Sequence, residues 1–514
     1  MNKNILKGIV LVGAALATIA CSKEYLETAP ESSTSPATIF ETTDNAELAV
    51  TGLARMMTMQ YLGSQGFNGE GTIKTWYGNY PGNDFQKCNL TGWSSIINGT
   101  YHERATASYD YYPWYYYFKI IGNANQIITK IDDAEGAESD KAFLKAQALV
   151  FRAYSFFMMS QLYCDRWMDS NNGASAGLPL RVDTSVGDIA LSTLGETYAQ
   201  IYADLDEALK LFASTTRDRK YFYEANADVA HAVYARAALT KQDWANAASH
   251  AASARNGYKL MSSKDYAAGF NTPNDEWIWG VYESEDQTLY YYSFFAYQGS
   301  NSSASICRSY PCAISKELID QIPDADTRRD LYLIPTDAEV NDSKFTKSNG
   351  RSTGILYNRA FKDYGSMLYS TSYVFQYMQF KLRASFMPGG GSFNLFRAAE
   401  MYYIEAEAQC MLGNDAAAQK LLAEVNKAHN SSYSCSLKGA DLLKEVKLYR
   451  RFDLWGEGFD WFDYKRWGEP INRKSIANGG SFHATFAIKV DPKAENNWNW
   501  IIPQKESDYN DLIN

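Results

Sequence analysis

Two segments far apart in the chain follow one design, and that design limits what the whole can fold into. VYARAALTKQDWANAASHAASARN (233–256) and YIEAEAQCMLGNDAAAQKLLAEVN (403–426) each place small Ala residues along a helix, break at a short polar turn, and resume as an Ala-rich second helix. Small side chains let paired helices approach closely, and such a pair buries its apolar face by stacking on a neighbour. The expected fold is mainly α, a tetratricopeptide-like helical-repeat scaffold with large irregular aromatic-rich loops and a few short strands. Ordinary Ala-rich helix hairpins would carry the same pattern.

The helical period recurs along the chain. Asn45 to Gln60 reads as a first helix with apolar Leu48, Leu53 and Met56. Trp114, Phe118, Ile121, Ile128 and Ile131 form a stripe after Pro113, which suits a first helical position. Ser139 to Tyr163 is a second long helix with small Ala142, Ala146, Ala148 and Ala153. Ser192 to Phe212, Ala225 to Asn256 and Asn394 to His429 are further helical groups, and Glu276 to Tyr282 reads as a short strand. Residues 61–112 and 265–393 lack a period and are rich in aromatics. Loops this long are usually functional or disordered, and their aromatic content argues against disorder. The chain as a whole holds 38 Tyr, 25 Phe and 12 Trp in 514 residues, an excess that suits binding surfaces as well as cores.

The N-terminus reads as an export signal. Lys3 and Lys7 form a positive region, Ile9 to Ala17 a short apolar run, and small Ala20 precedes Cys21. The run is too short to span a bilayer. Cleavage before Cys21 would create the N-terminal thiol that a bacterial lipoprotein acylates, although Thr18 stands where such signals prefer Leu. The rival is a soluble secreted protein whose first cysteine is incidental. The expected organisation is a signal peptide over 1–20, a Ser-, Thr- and Pro-rich tether over 21–40, and one domain over 41–514. That domain has a helical part to about residue 260 and a loop-rich part after it.

Charge and cysteine count narrow the partners. Removing residues 1–20 leaves 47 basic and 59 acidic side chains, a net charge of −12. That argues against nucleic acid, which needs clustered Lys and Arg, and against an electrostatic membrane contact. Cys164 and Cys410 lie in helical patterns and read as free thiols; Cys307 and Cys312 flank a Pro-containing loop and could pair.

Few residues suggest catalysis. Asp453, Glu457, Asp460 and Asp463 recur at helical spacing beside Arg450, Arg451, Lys465 and Arg466. Paired carboxylates can hydrolyse glycosides, but acids and bases three or four apart more often pair with each other. Trp455, Trp461 and Phe462 are expected to pack the opposite face, and Trp114 to lie in the core. The five histidines show no zinc motif, and no nucleophile elbow or phosphate loop is present. No cofactor is expected. Asp324 and Asp326 could help hold Ca²⁺, with a salt bridge to Arg328 or Arg329 the competing reading. The loop 169–173 (DSNNG) lacks calcium-loop spacing.

Aromatic rings carry the binding hypothesis. The slightly positive C–H face of a pyranose stacks on a negative ring face, while polar side chains read the hydroxyls. The candidates are Trp76, Tyr77, Tyr80, Asn83, Asp84 and Trp93 in the first loop region and Tyr290, Tyr291, Tyr292 and Tyr297 in the second, although each Tyr or Trp taken alone is more often a packing residue than a ligand contact.

Several segments together resemble the SusD/RagB family of outer-membrane nutrient-binding lipoproteins of Bacteroidota. They are Cys21 with Tyr25, Leu26, Glu27 and Pro30, LFRAAEMYYIEAEAQCMLGN (395–414), YRRFDLWGEGFDWFDYKRWG (449–468) and WIIPQKESDYN (500–510). Trp114 to Asn125 and GLPLRVD (177–183) agree as well. The resemblance implies a non-enzymatic lipoprotein, anchored at the cell surface through Cys21. It would capture glycan, or peptide in some branches, for a TonB-dependent outer-membrane transporter of SusC type. It carries over no ligand-contacting residue, because the loops align poorly. Ser22-Lys23-Glu24 departs from the acids that often follow the cysteine in surface-exported members. A non-catalytic adaptor of the outer membrane is the alternative outside this role.

Overall fold

The computed structural model describes residues 38–63, 66–100, 103–284, 292–491 and 498–513. Cys21, Tyr290 and Tyr291 lie outside these residues. The frame is a stack of antiparallel helices: α1 (Thr43–Met56), α2 (Ser108–Lys130), α3 (Glu138–Tyr163), α4 (Leu194–Ser214), α5 (Ala227–Thr240) and α6 (Trp244–Ala254). The chain then makes its loop-rich excursion, which includes α7 (Ile355–Tyr364), and returns as α8 (Ala398–Met411) and α9 (Asp415–Lys427). Helix α8 docks on α6, so the two look-alike hairpins are neighbours in space despite the excursion between them. Ala247, Ala251 and Ala254 on α6 and Ala399, Ala406 and Ala408 on α8 are buried, as the small-residue pattern requires. Helices α10 (Gly439–Asp453) and α11 (Asp460–Trp467) close the frame.

Strands are short. β1 (Phe85–Lys87) pairs antiparallel with β3 (Cys312–Ile314), joining the two loop regions. β2 (Trp277–Val281), the expected strand, pairs with β7 (Phe393–Arg397). β4 (Phe345–Thr346), β5 (Arg351–Ser352) and β6 (Val374–Phe375) form a small sheet, and β8 (Ile471–Asn472) pairs with β9 (Lys489–Val490).

Helix α2 begins before Pro113, not at it. A proline inside a helix cannot donate to the carbonyl four residues back, here Tyr109 O. The Tyr77 hydroxyl donates to that carbonyl at 2.5 Å. One residue on, Trp114 N–H donates to the Tyr163 hydroxyl at 3.1 Å, and that hydroxyl donates to Asp110 O at 2.6 Å. Two tyrosines thus repair the ladder around the proline.

The described residues between 61 and 112 hold more regular structure than their lack of period suggests. Gly69–Thr72 is helical and runs into a π-helix over Ile73–Asn79, marked by Tyr80 N–H donating to Thr75 O five residues back. All seven π-helical residues are buried, and a segment enclosed on every side has no polar face to reveal its period. Cys307 and Cys312 are free thiols rather than a disulfide. Each Sγ instead donates to a backbone carbonyl, Gly299 O at 3.0 Å and Tyr297 O at 3.4 Å respectively.

Candidate functional site

The pairing of β1 with β3 draws the two aromatic loop regions together. Trp76 lies 4.5 Å from Trp93 between ring centroids and 5.6 Å from Tyr297. Tyr292 lies 5.9 Å from Tyr297, and Tyr109 lies 6.0 Å from Trp93. One cluster therefore contains rings from positions about 200 residues apart in sequence. Gly66, in a left-handed conformation, makes room for it: a Cβ there would come within 2.7 Å of the Trp76 ring.

Burial sorts the sequence candidates. Trp76, Tyr77, Tyr80, Asp84 and Tyr297 are each 2% exposed or less, the packing alternative for these residues. They form the packed floor of the cluster and its surroundings. Tyr77 packs on Trp500, and Tyr80 on Phe85. Asp84 accepts two hydrogen bonds from Arg451, at 2.7 and 2.9 Å, and one from the Ser315 hydroxyl. Asn83 is half-buried and is held by Tyr464 and by the Asn472 backbone N–H. Trp93 and Tyr292 remain half-exposed, and Tyr109, which sequence reasoning missed, joins them at the rim.

A second group of rings is more open. Tyr221 is 54% and Tyr282 50% exposed. Tyr221 stacks on Tyr223 at 5.1 Å with the planes 10° apart, and Tyr223 lies 6.2 Å from Tyr282. Phe222 between them turns inward onto Trp277. The signal was present as three consecutive aromatics in the polar connection between α4 and α5.

The charged segment near the C-terminus is interior. Arg397, at the end of β7, donates to Glu457 at 2.8 Å, Glu276 at 2.7 Å and Asp453 at 2.6 Å. Arg328 donates to Asp453 at 2.7 Å and Asp326 at 2.6 Å, and Lys381 to Glu457 at 2.6 Å. Asp463 accepts from Arg450 and Arg466, both at 2.8 Å. Of these pairs only Asp463 with Arg466 follows helical spacing, and Arg328 with Asp326 lies within one turn; the others join different elements, contrary to the expectation of local pairing. Burial opposes ionisation of the acids, yet Arg397 and Arg328 hold Asp453 well below the usual carboxylate range. Arg397 and Lys381 bring Glu457 down to about 2. Asp460 departs from this pattern: burial and the neighbouring Asp84 raise it to about 7, while its carboxylate accepts from the backbone N–H groups of Asp84 and Phe85 at 2.6 and 2.8 Å. Trp455, Trp461 and Phe462 are buried as expected, and so is Trp114. Asp326 and Asp324 pair with Arg328 and Arg329, at 2.6 and 2.9 Å, so both are engaged by the cations that competed with Ca²⁺ for them.

Comparison with protein families places this geometry. Residues 238–513 match the model described as the SusD family, and residues 24–239 match a SusD-like model described as starch-binding associating with outer membrane. The chain belongs to the SusD family. Its SusD-like fold recurs in a SusD-like carbohydrate binding protein from Bacteroides vulgatus. The TM-score is 0.75 and the identity 22%, over 92% of this chain and 98% of that one. A SusD superfamily protein from Bacteroides thetaiotaomicron matches with a TM-score of 0.71 and 22% identity, over 92% and 99% of the two chains. No match was found among curated proteins. Among the described residues, no helix is long and apolar enough to cross a membrane.

Proposed function

We propose that this SusD-family protein is a lipid-anchored, non-enzymatic receptor at the cell surface. It captures oligo- or polysaccharide and passes it to a TonB-dependent transporter in the outer membrane. The observation that carries the reading is the family match across both halves of the chain, with half-exposed rings held over a rigid aromatic floor. Trp93, Tyr109 and Tyr292 would stack against sugar faces, with Tyr221, Tyr223 and Tyr282 as a second platform. The fold relative from Bacteroides vulgatus, described as carbohydrate binding, supports glycan as the ligand class. Open stacking sites bind weakly, with Kd in the micromolar to millimolar range, about −8 to −4 kcal/mol.

The test is calorimetric titration of the purified protein against polysaccharides, oligosaccharides and peptides, repeated with Trp93→Ala and with Tyr221→Ala/Tyr282→Ala. Saturable glycan binding weakened by either set of changes supports the proposal and locates the surface. Binding confined to peptides would replace the ligand class. Binding to protein partners alone would favour an adaptor.

A further inference from the structure

Two arginines in the loop-rich excursion stand without an acid. Arg308 ends the short helical turn Ser305–Arg308, and Arg351 opens β5; both are half-buried. Among the described residues neither forms an ion pair, and the Nε–H of each is enclosed without an acceptor. The Arg308 side chain makes one hydrogen bond, from Nη1 to the Thr371 hydroxyl at 3.0 Å. The Arg351 guanidinium makes none and lies over the Tyr373 ring, 3.7 Å from its centroid. Acids outnumber Lys and Arg in this chain by 59 to 49, and Arg152, Arg236, Arg397 and Arg466 each hold a carboxylate. A shortage of acids therefore does not explain the two that lack one, and an enclosed donor without an acceptor is costly to keep.

The contacts that hold these side chains leave their donors unspent. A guanidinium presents its N–H groups in its own plane, so a ring packed on its face consumes none of them. Tyr373 thus fixes the Arg351 side chain while the fork stays free for an anion, which arginine grips with paired hydrogen bonds. A donor ordered before binding has less freedom to lose on binding. One stretch of chain anchors both arginines. Thr371 and Tyr373 are two residues apart, at most about 7 Å along the backbone, and Tyr373 N–H donates to Arg308 O at 2.7 Å.

The loop that carries Arg308 is also tied to the aromatic rim. Asn89 Nδ2 donates to Ser309 O at 3.4 Å and Cys88 N–H to Pro311 O at 3.0 Å, and the segment they belong to reaches Trp93 within one further turn of chain. We propose that Arg308 and Arg351 read an acidic substituent, a carboxylate or a sulfate ester, on the glycan whose sugar faces stack at the rim. This rests on the glycan-capture reading and narrows it to anionic glycans. The net charge of −10 repels such a polymer at long range, so recognition falls to local, fixed donors rather than to a broad positive field.

The experiment titrates the full chain in detergent, by calorimetry, with oligogalacturonate, chondroitin sulfate oligosaccharides and neutral galacto-oligosaccharides of matched length. Each titration is run at low and at high salt. Arg308→Gln, Arg351→Gln, Arg351→Lys and the double Gln variant are compared, with Tm as the control for folding. At low salt at least one acidic oligosaccharide should bind about tenfold more tightly than the neutral one, and the carboxylate and sulfate arms show which group fits. The preference should vanish in the double variant. Arg351→Lys should restore only part of it, because an ammonium keeps the charge and loses the fork. Equal affinity for acidic and neutral oligosaccharides in the wild type would overturn this proposal and leave glycan capture standing, a comparison that does not depend on how the variants fold. A preference that survives in the double variant would overturn it as well. A panel in which no glycan of any kind binds would overturn both.

Discussion

Asp110 offers a sharp test of the energetics inferred from this fold. It is fully buried in the first turn of α2, and neither carboxyl oxygen has a hydrogen-bond partner. Burial alone raises its pKa from 3.8 to about 9, so the native state keeps it protonated at neutral pH. The unfolded chain ionises near the ordinary value. Between those two pKa values the native state binds one more proton than the unfolded state, so stability falls as pH rises. The contribution is whole below the unfolded pKa and is lost progressively up to the folded one. The slope is about 1.4 kcal/mol per pH unit, or roughly 4 kcal/mol between pH 5 and pH 8. Asp110→Asn removes this titration. Its buried amide has unmet donors of its own, which adds an offset of about 1–3 kcal/mol that does not depend on pH. The measurement is urea unfolding of both proteins at pH 5, 6.5 and 8, followed by tryptophan fluorescence. The stability of the variant relative to the parent should rise by about 4 kcal/mol across that range. A difference independent of pH would refute the reasoning, because it would mean that Asp110 reaches water or a partner when charged.

Other perturbations probe the remaining claims. Arg397→Met strands Glu457, Asp453 and Glu276 without their shared cation and should cost about 3–5 kcal/mol, read as a lower urea midpoint or loss of soluble yield. Because the folded-state pKa of Glu457 is depressed from 4.5 to about 2, its contribution is present above pH 4.5. It should be lost as pH falls toward 2, about 3 kcal/mol, and acid unfolding should shift to higher pH in Glu457→Gln if other groups are unchanged. Tyr163→Phe removes the hydroxyl that bridges Trp114 N–H and Asp110 O. It should cost about 1–3 kcal/mol and speed hydrogen exchange at the start of α2 ahead of the rest of the helix. Cys21→Ser should move the protein from the membrane to the soluble fraction and abolish incorporation of labelled fatty acid.

The long helices were legible because their information is local. The Ala positions of 233–256 and 403–426 specify close packing whatever the partner, and α3 falls within one residue of its sequence reading at the N-terminus. Pro113 misled, since its place at a helix start is the local rule and the hydroxyls of Tyr77 and Tyr163 that override it come from other segments. The charged signature behaved likewise. Asp453, Glu457 and Asp463 are three or four residues from plausible partners, yet Asp453 and Glu457 take their cations from β7 and the loop-rich excursion, and Asp463 one of its two from α10. The aromatic candidates were the least legible. A tyrosine or tryptophan has an apolar face that serves a core and a ligand equally well, so composition cannot say which faces stay open.

By itself the sequence determined the helical-repeat frame, the short strand β2 and the family, all of which rest on short-range pattern and contiguous motifs. The tertiary structure decided which rings are floor and which are rim, and which cation meets which carboxylate. Those outcomes depend on segments that meet only after the chain has closed on itself, and no local preference encodes the meeting.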